Sequence, residues 1–161
     1  MRTAVLTISN RVSRREADDT SGELLARMAE GAGADVDAME VLPDDLGLIE
    51  DRLHHFVDQA YDLILTTGGT GLTPDDVTPE ATQLVIDREV PGFAEAMRAE
   101  SLKHTPMGMT SREVCGTAGR TLILNFPGNP KAIEQLFPVL APVLGHAAAT
   151  LSSEGGSRAS H

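Results

Sequence analysis

Residues 63–82 read LILTTGGTGLTPDDVTPEAT, and the fold follows from how this stretch breaks up. Leu63, Ile64 and Leu65 open an apolar run that ends in Thr66 and Thr67, the pattern of a strand buried on both faces. Gly68, Gly69 and Gly71, set around Thr70, interrupt it. Glycines lack Cβ, so they admit positive φ and let backbone N–H groups approach an anion closely. Thr78, Pro79 and Glu80 then give a helix start, with Thr78 expected as N-cap and Pro79 at the first helical position. The stretch is a strand, a loop and a helix whose positive end points back at the loop.

Two readings of the loop stay open. Glycines after a strand make an ordinary βα turn, and this spacing fits neither the Walker pattern GxxxxGK(S/T) nor the dinucleotide fingerprint GxGxxG. Against that, Asp75 and Asp76 set carboxylates beside the loop, where they would repel a bare phosphate. A carboxylate beside a phosphate cradle makes sense if Mg²⁺ lies between them, because this hard cation takes carboxylate and phosphate oxygens together.

Outward from this stretch the alternation repeats. Residues 4–8, AVLTI, form a buried strand that stops at Ser9 and Asn10. Residues 35–42 form a weakly alternating strand ending in Pro43-Asp44-Asp45, and residues 121–125, TLILN, lead into Phe126-Pro127-Gly128-Asn129-Pro130-Lys131. Between them, Asp19 or Thr20 caps a helix carrying Leu24, Leu25 and Met28 and stopped at Gly31 or Gly33. Leu46, Ile49, Leu53, Phe56, Val57 and Ala60 line one stripe of the next helix, at whose start Asp44 is either a cap or a site residue. Leu84, Val85 and Ile86 are expected to bury, and Asp87-Arg88-Glu89 to cover the surface. Residues 93–103 read as a helix with Phe93, Ala96, Met97 and Leu102 inward, and residues 105–119 as loop. The last helix, from Ala132 onwards, is expected to bend or restart at Pro138 and Pro142.

Four apolar strands alternating with amphipathic helices predict an α/β fold, a three-layer, mostly parallel sheet with helices on both faces. Ligands in such sheets bind beyond the carboxyl ends of the strands. Ser9-Asn10, Asp44, the glycine loop with Asp76, and residues 127–131 all fall there.

The 161 residues are expected to make a single domain over residues 1–151, with a Ser/Gly-rich disordered tail at 152–161. With 24 acidic against 13 basic residues the net charge is −11, and no basic tract offers itself to nucleic acid. An acidic protein that handles phosphates needs local positive potential from amides, helix N-termini, a few Arg or Lys, or a metal. Cys115 is the sole cysteine, which excludes an intrachain disulfide and fits a reducing compartment; a small buried hydrophobe explains it better than a nucleophile does. No signal peptide and no apolar run approaching a membrane span is read, so the cytoplasm is the expected location.

Taken in order, GGTG, the run Asp76-Val77-Thr78-Pro79-Glu80-Ala81, Ser111-Arg112 and Pro127-Gly128-Asn129-Pro130 resemble the molybdopterin adenylyltransferase family, the MogA/MoaB group. The resemblance covers Ala4 to about Leu151. It implies Mg²⁺-dependent transfer of AMP from ATP to the terminal phosphate of molybdopterin, with release of pyrophosphate, in molybdenum cofactor biosynthesis. It also implies a homotrimer or hexamer and a molybdenum-insertion enzyme as partner. By the same resemblance, Asp44 and Asp76 are the catalytic and metal-positioning carboxylates. Ser9, Asn10, Gly68, Gly69, Thr70, Gly71, Ser111, Arg112, Pro127, Gly128 and Asn129 are expected at the substrates, with Ser111 on the pterin. Arg112 and Lys131 are candidates for phosphate neutralisation or for surface ion pairs. Many adenylyltransferases of the family carry Ser-Asp where this chain has Ser9-Asn10, a departure that resembles the MoaB branch and lowers the expected metal affinity. The alternative reading is a non-catalytic molybdopterin-binding or scaffold protein of that branch.

Overall fold

The computed structural model describes residues 1–153. Six strands form one sheet in the order β2-β1-β3-β6-β5-β4. In chain order they are β1 (Arg2–Ile8), β2 (Asp35–Leu42), β3 (Leu63–Thr67), β4 (Arg88–Glu89), β5 (Cys115–Ala118) and β6 (Thr121–Phe126). The four strands β2, β1, β3 and β6 are parallel, while β5 runs antiparallel to β6 and β4 antiparallel to β5. The expected mostly parallel sheet is present, with a two-strand antiparallel edge added to it.

Alternation along the strands builds the two cores. Val5, Leu63, Leu65, Leu122 and Leu124 face one side, where they bury against α2 (Thr20–Gly31), α5 (Pro91–Leu102) and α6 (Pro130–Ser152). Ala4, Leu6, Ile8, Ile64 and Ile123 face the other, against α3 (Leu46–Asp58) and α4 (Thr78–Val85). All five residues of β3 are buried, so this strand lies in the middle of a three-layer molecule. The chain leaves β1 toward β2 on one side and reaches β3 on the other. The order of strands therefore reverses between β1 and β3, and a crevice opens at their carboxyl ends.

Several local expectations change. Residues 88–89 pair as β4 instead of only covering surface, and residues 115–118 form β5 within what reads as loop. Gly116 is what lets the edge close, because a Cβ there would stand 2.6 Å from the Arg88 carbonyl oxygen. Leu84 is 56% exposed and Leu102 47%, since each falls on the solvent side of its helix. A short helix, α1 (Asn10–Ser13), occupies the start of the charged segment after β1.

The last helix neither starts at Ala132 nor restarts: it runs unbroken from Pro130 to Ser152 with Pro138 and Pro142 inside it. Both prolines are exposed, so the carbonyls they leave without an N–H partner face water. By length and composition α6 is also apolar enough to cross a membrane, contrary to the expectation that no run approaches a span. Its apolar face, including Ile133, Leu136, Phe137, Leu140 and Leu144, is buried against the sheet. The tail expected from residue 152 meets the structure only at its start, where Ser152 closes the helix; residues 154–161 lie outside the described residues.

Candidate active site

The crevice is built from chain ends. After β1, the Ser9 side chain accepts the Val12 N–H at 3.2 Å and starts α1. After β2, two adjacent aspartates divide the work: Asp45, not Asp44, caps α3 by accepting the Leu48 N–H at 2.9 Å. Asp44 is left to face the crevice. Its carboxylate accepts the Asn10 backbone N–H at 3.1 Å, and its own N–H donates to the Asn10 side-chain oxygen at 2.9 Å.

After β3, Gly68 and Gly69 adopt positive φ, +97° and +69°, which β-carbon-bearing residues rarely take. A Cβ on Gly68 would lie 2.2 Å from the Ile8 carbonyl oxygen, so the loop is pressed against the end of β1. Thr78 is the first residue of α4, not its cap; its hydroxyl donates 2.9 Å to Gly68 O and its N–H 3.1 Å to Gly69 O. The helix start thereby holds the loop. Gly71 also has to be small, because a Cβ would stand 2.8 Å from Asp76 Oδ2. That oxygen accepts the Thr73 N–H and hydroxyl at 2.9 and 2.8 Å.

After β6, Pro127 O accepts the Thr67 hydroxyl at 2.9 Å, and Asn129 caps α6 with its side chain on the Lys131 N–H. Gly128 comes so close to Gly68 that a Cβ on it would sit 3.2 Å from the Gly68 Cα. Ser21 at the start of α2 donates 2.6 Å to Gly128 O. The two glycine loops touch through their backbones.

Two cavities open on either side of this contact. The first, about 430 Å³, is lined by Ser9, Asp44, Gly68, Gly69, Asp76 and Gly128, together with Arg11, Asp18, Asp19 and Ser21. The second, about 380 Å³, is lined by Gly68 to Gly71, Asp76, Ser111, Pro127, Gly128 and Asn129, with Thr105, Met107 and Thr110 on its rim. They share Gly68, Gly69, Asp76 and Gly128. Asn10, Arg112 and Lys131 line neither. Asn10 stands behind Asp44; Arg112 directs its guanidinium at the backbone of the glycine loop and at Glu80; Lys131 is exposed.

Sequence reasoning gives Arg11 and Ser21 no role at the site, and leaves open whether Asp19 or Thr20 is the cap. Asp19 is the cap of α2, accepting the Gly22 N–H at 3.0 Å, and its carboxylate is also held by the Thr7 hydroxyl at 2.8 Å. The charged segment after β1 is the available signal, but its register against the cavity is set by the fold.

The electrostatics are unbalanced toward the acidic side. Burial raises the Asp44 carboxyl above the ordinary carboxylate value, the Asn10 N–H opposes this, and the negative charges of Asp76 and Asp75 raise it further. Arg11 is the one cationic side chain among the described residues lining the first cavity, and the second has none. Positive potential comes instead from the starts of α2 and α6 and from loop amides. Among the described residues no three His, Cys, Asp or Glu side chains gather as a metal cage. Two hard carboxylates that repel one another suit a cation that takes most of its remaining ligands from water and phosphate, as Mg²⁺ does.

The structure is thus an α/β protein with two adjoining cavities that share glycine-loop residues at the sheet's switch point. Residues 4–146 match the family described as "Probable molybdopterin binding domain". The chain is 37% identical over 143 residues to a molybdopterin adenylyltransferase of Helicobacter pylori, covering 87% of this chain and 81% of that protein. It is 39% identical over 145 residues to the molybdenum cofactor synthesis protein cinnamon of Drosophila melanogaster, covering 89% of this chain but spanning only 24% of that protein's length. The crystal structure of the molybdopterin biosynthesis enzyme MoaB from Thermus thermophilus matches with a TM-score of 0.89 at 44% identity, covering 95% of this chain and 97% of that one. The chain belongs to this molybdopterin-binding family, in the MogA/MoaB group that includes the molybdopterin adenylyltransferases.

Proposed function

We propose that the protein transfers AMP from ATP to molybdopterin in molybdenum cofactor biosynthesis. The observation that carries this reading is the junction of the two cavities at Gly68, Gly69, Asp76 and Gly128. A reaction between two phosphate-bearing substrates needs adjoining sites with a shared floor. The names of the relatives support the substrates: the family match is to molybdopterin binding, and the Helicobacter pylori relative is a molybdopterin adenylyltransferase.

In this reading the second cavity takes the pterin, with Ser111 as its hydroxyl contact, and the first takes the nucleotide phosphates, with Arg11 and the α2 start at its wall. A terminal phosphate oxygen of the pterin attacks the α-phosphorus of ATP. The bond from that phosphorus to the bridging oxygen breaks, and pyrophosphate leaves with the electron pair. No protein nucleophile is required, so the chain's work is to bring two polyanions together and hold them in line. Loop amides of residues 69–71 and the start of α6 hold phosphate oxygens, the Gly68 N–H being taken by Phe126 O; Asp44 and Asp76 are the residues that would hold Mg²⁺. Bound there, Mg²⁺ would supply charge neutralisation between the two phosphate groups.

A cytoplasmic location and a homotrimer or hexamer belong to the same reading, as does hand-over to a molybdenum-insertion enzyme. Exposed Val139 and Val143 beside half-buried Phe93 form an apolar surface that assembly would cover. Incubation with ATP, Mg²⁺ and molybdopterin, followed by mass analysis, tests the proposal. Adenylylated molybdopterin that depends on both additions is the expected product. Pterin binding without product would instead make the protein a non-catalytic carrier.

A further inference from the structure

Arg112 is held by more of the site than any other side chain there. Its backbone N–H donates to Thr70 O at 2.9 Å, Nε to Gly71 O at 2.8 Å and Nη2 to Asp76 O at 2.8 Å, while Nη1 pairs with the Glu80 carboxylate in the first turn of α4. One residue thus joins the two ends of the loop that carries Asp76 to the helix that follows it. Among the described residues the loop has little else to hold it: Leu72 is 68% exposed, and Thr73, Pro74 and Asp75 are exposed with it. Among the described residues the remaining ties are Asp76 N–H to Thr73 O, the Asp76 carboxylate on Thr73, and the Thr78 contacts to Gly68 and Gly69.

The segment bearing Arg112 is itself anchored from behind. Arg98 on α5 reaches Ser111 O at 3.4 Å, Glu113 O at 3.3 Å and the Glu113 carboxylate at 3.2 Å, and that Glu113 side chain is only 2% exposed. Arg112 is therefore a bracket between a fixed wall and an otherwise exposed loop.

We propose that Arg112 is a positioning residue for the reaction: its guanidinium fixes the loop of residues 70–76, and with it Asp76, and does not itself meet a phosphate. This rests on the function proposed above. Three acceptors in three directions match the planar fork of a guanidinium. Lysine keeps the charge but cannot reach all three at once. A phosphate neutraliser would tolerate Arg112→Lys; a bracket would not.

The test compares Arg112→Lys, Arg112→Ala and Asp76→Asn in the full chain, with two readouts. By hydrogen exchange, residues 70–77 are expected to lose protection in both Arg112 variants while β1, β3 and β6 keep theirs. In the adenylylation assay Arg112→Lys is expected to lower kcat on the order of 10- to 100-fold, with KM for ATP within about threefold, as misplacement of a catalytic group does. Because Arg112 acts through Asp76, its loss is expected to cost little more once Asp76 is Asn. Unchanged loop protection overturns the proposal, as does Arg112→Lys turnover at the wild-type level, a KM effect without a kcat effect, or losses that add fully in the double variant. Absence of turnover in the wild-type protein would overturn the proposed reaction and, with it, the positioning role; the exchange readout would then report only whether the bracket exists.

Discussion

Asn10 and Asp44 bind each other twice, carboxylate to backbone N–H and side-chain oxygen to backbone N–H, at 3.1 and 2.9 Å. The pair ties the chain after β1 to the chain after β2 and orients Asp44 toward the first cavity. Asparagine does here what an aspartate would do as an acceptor, without adding a further negative charge beside Asp44. Asn10 therefore keeps Asp44 held from both sides.

Asn10→Ala removes the acceptor for the Asp44 N–H. A loss of about 1 kcal/mol in urea unfolding is expected, the usual cost of one such hydrogen bond. Stability equal to wild type would show that water replaces the side chain without cost.

Asp44 gives a pH dependence with a definite sign. Its folded-state carboxyl is raised, chiefly by burial. Between the ordinary carboxylate value and the raised one, the folded protein holds a proton the unfolded chain has lost, so stability falls as pH rises through that window and stays lower above it. Asp44→Asn is therefore expected to melt higher than wild type at pH 7, and the difference to shrink as pH falls through the ordinary aspartate value and to vanish at about pH 2.5. A variant less stable than wild type at pH 7 would contradict this. In the adenylylation assay the same variant should be strongly impaired.

Asp76→Asn keeps an oxygen to accept from Thr73, so the fold and pterin binding should survive. Turnover is expected to drop at least about 100-fold, the scale of losing one essential electrostatic group. Product formation at the wild-type rate, followed by mass, would remove Asp76 from the mechanism.

Gly68→Ala sets a Cβ 2.2 Å from Ile8 O at a φ of +97°, and a loss above about 2 kcal/mol is expected. Gly31→Ala, at the end of α2 with nothing within 4 Å of the new Cβ, should be neutral or stabilising by a few tenths of a kcal/mol. Chemical denaturation of both variants measures the contrast.

Cys115 is buried and its thiol is pushed up to about 12, chiefly by desolvation. A thiol reagent at about pH 8 should label it only after denaturant is added. Rapid labelling of the folded protein would place the thiol within reach of solvent.

How much of this is legible in the sequence depends on how each element is encoded. β1, β3 and β6 are continuous apolar runs, and their order with the helices between them reads as a parallel sheet. β5 is Cys-Gly-Thr-Ala and β4 only two charged residues, so neither has propensity or pattern to show; pairing at a sheet edge makes them strands. The glycine loops can be read because their composition is their mechanism. Asp44 and Asp45 cannot be told apart, since the phase of α3 alone decides which of them turns into the cap. Thr78 looks like a cap because threonine before Pro79 is a good start signal, yet its hydroxyl is drawn to Gly68 O. Nor does any motif foretell that Arg112 lies across the loop that Asp76 closes.

The contact between Gly68 and Gly128 bears on how this site can diverge. Where the two loops meet, the floor is made of peptide groups, which a substitution leaves chemically the same or else displaces. New specificity would have to come from the walls, where Arg11 stands on one segment and Met107 and Ser111 on another, each open to exchange by itself. The chemistry on the floor and the choice of what sits above it are thus open to selection independently.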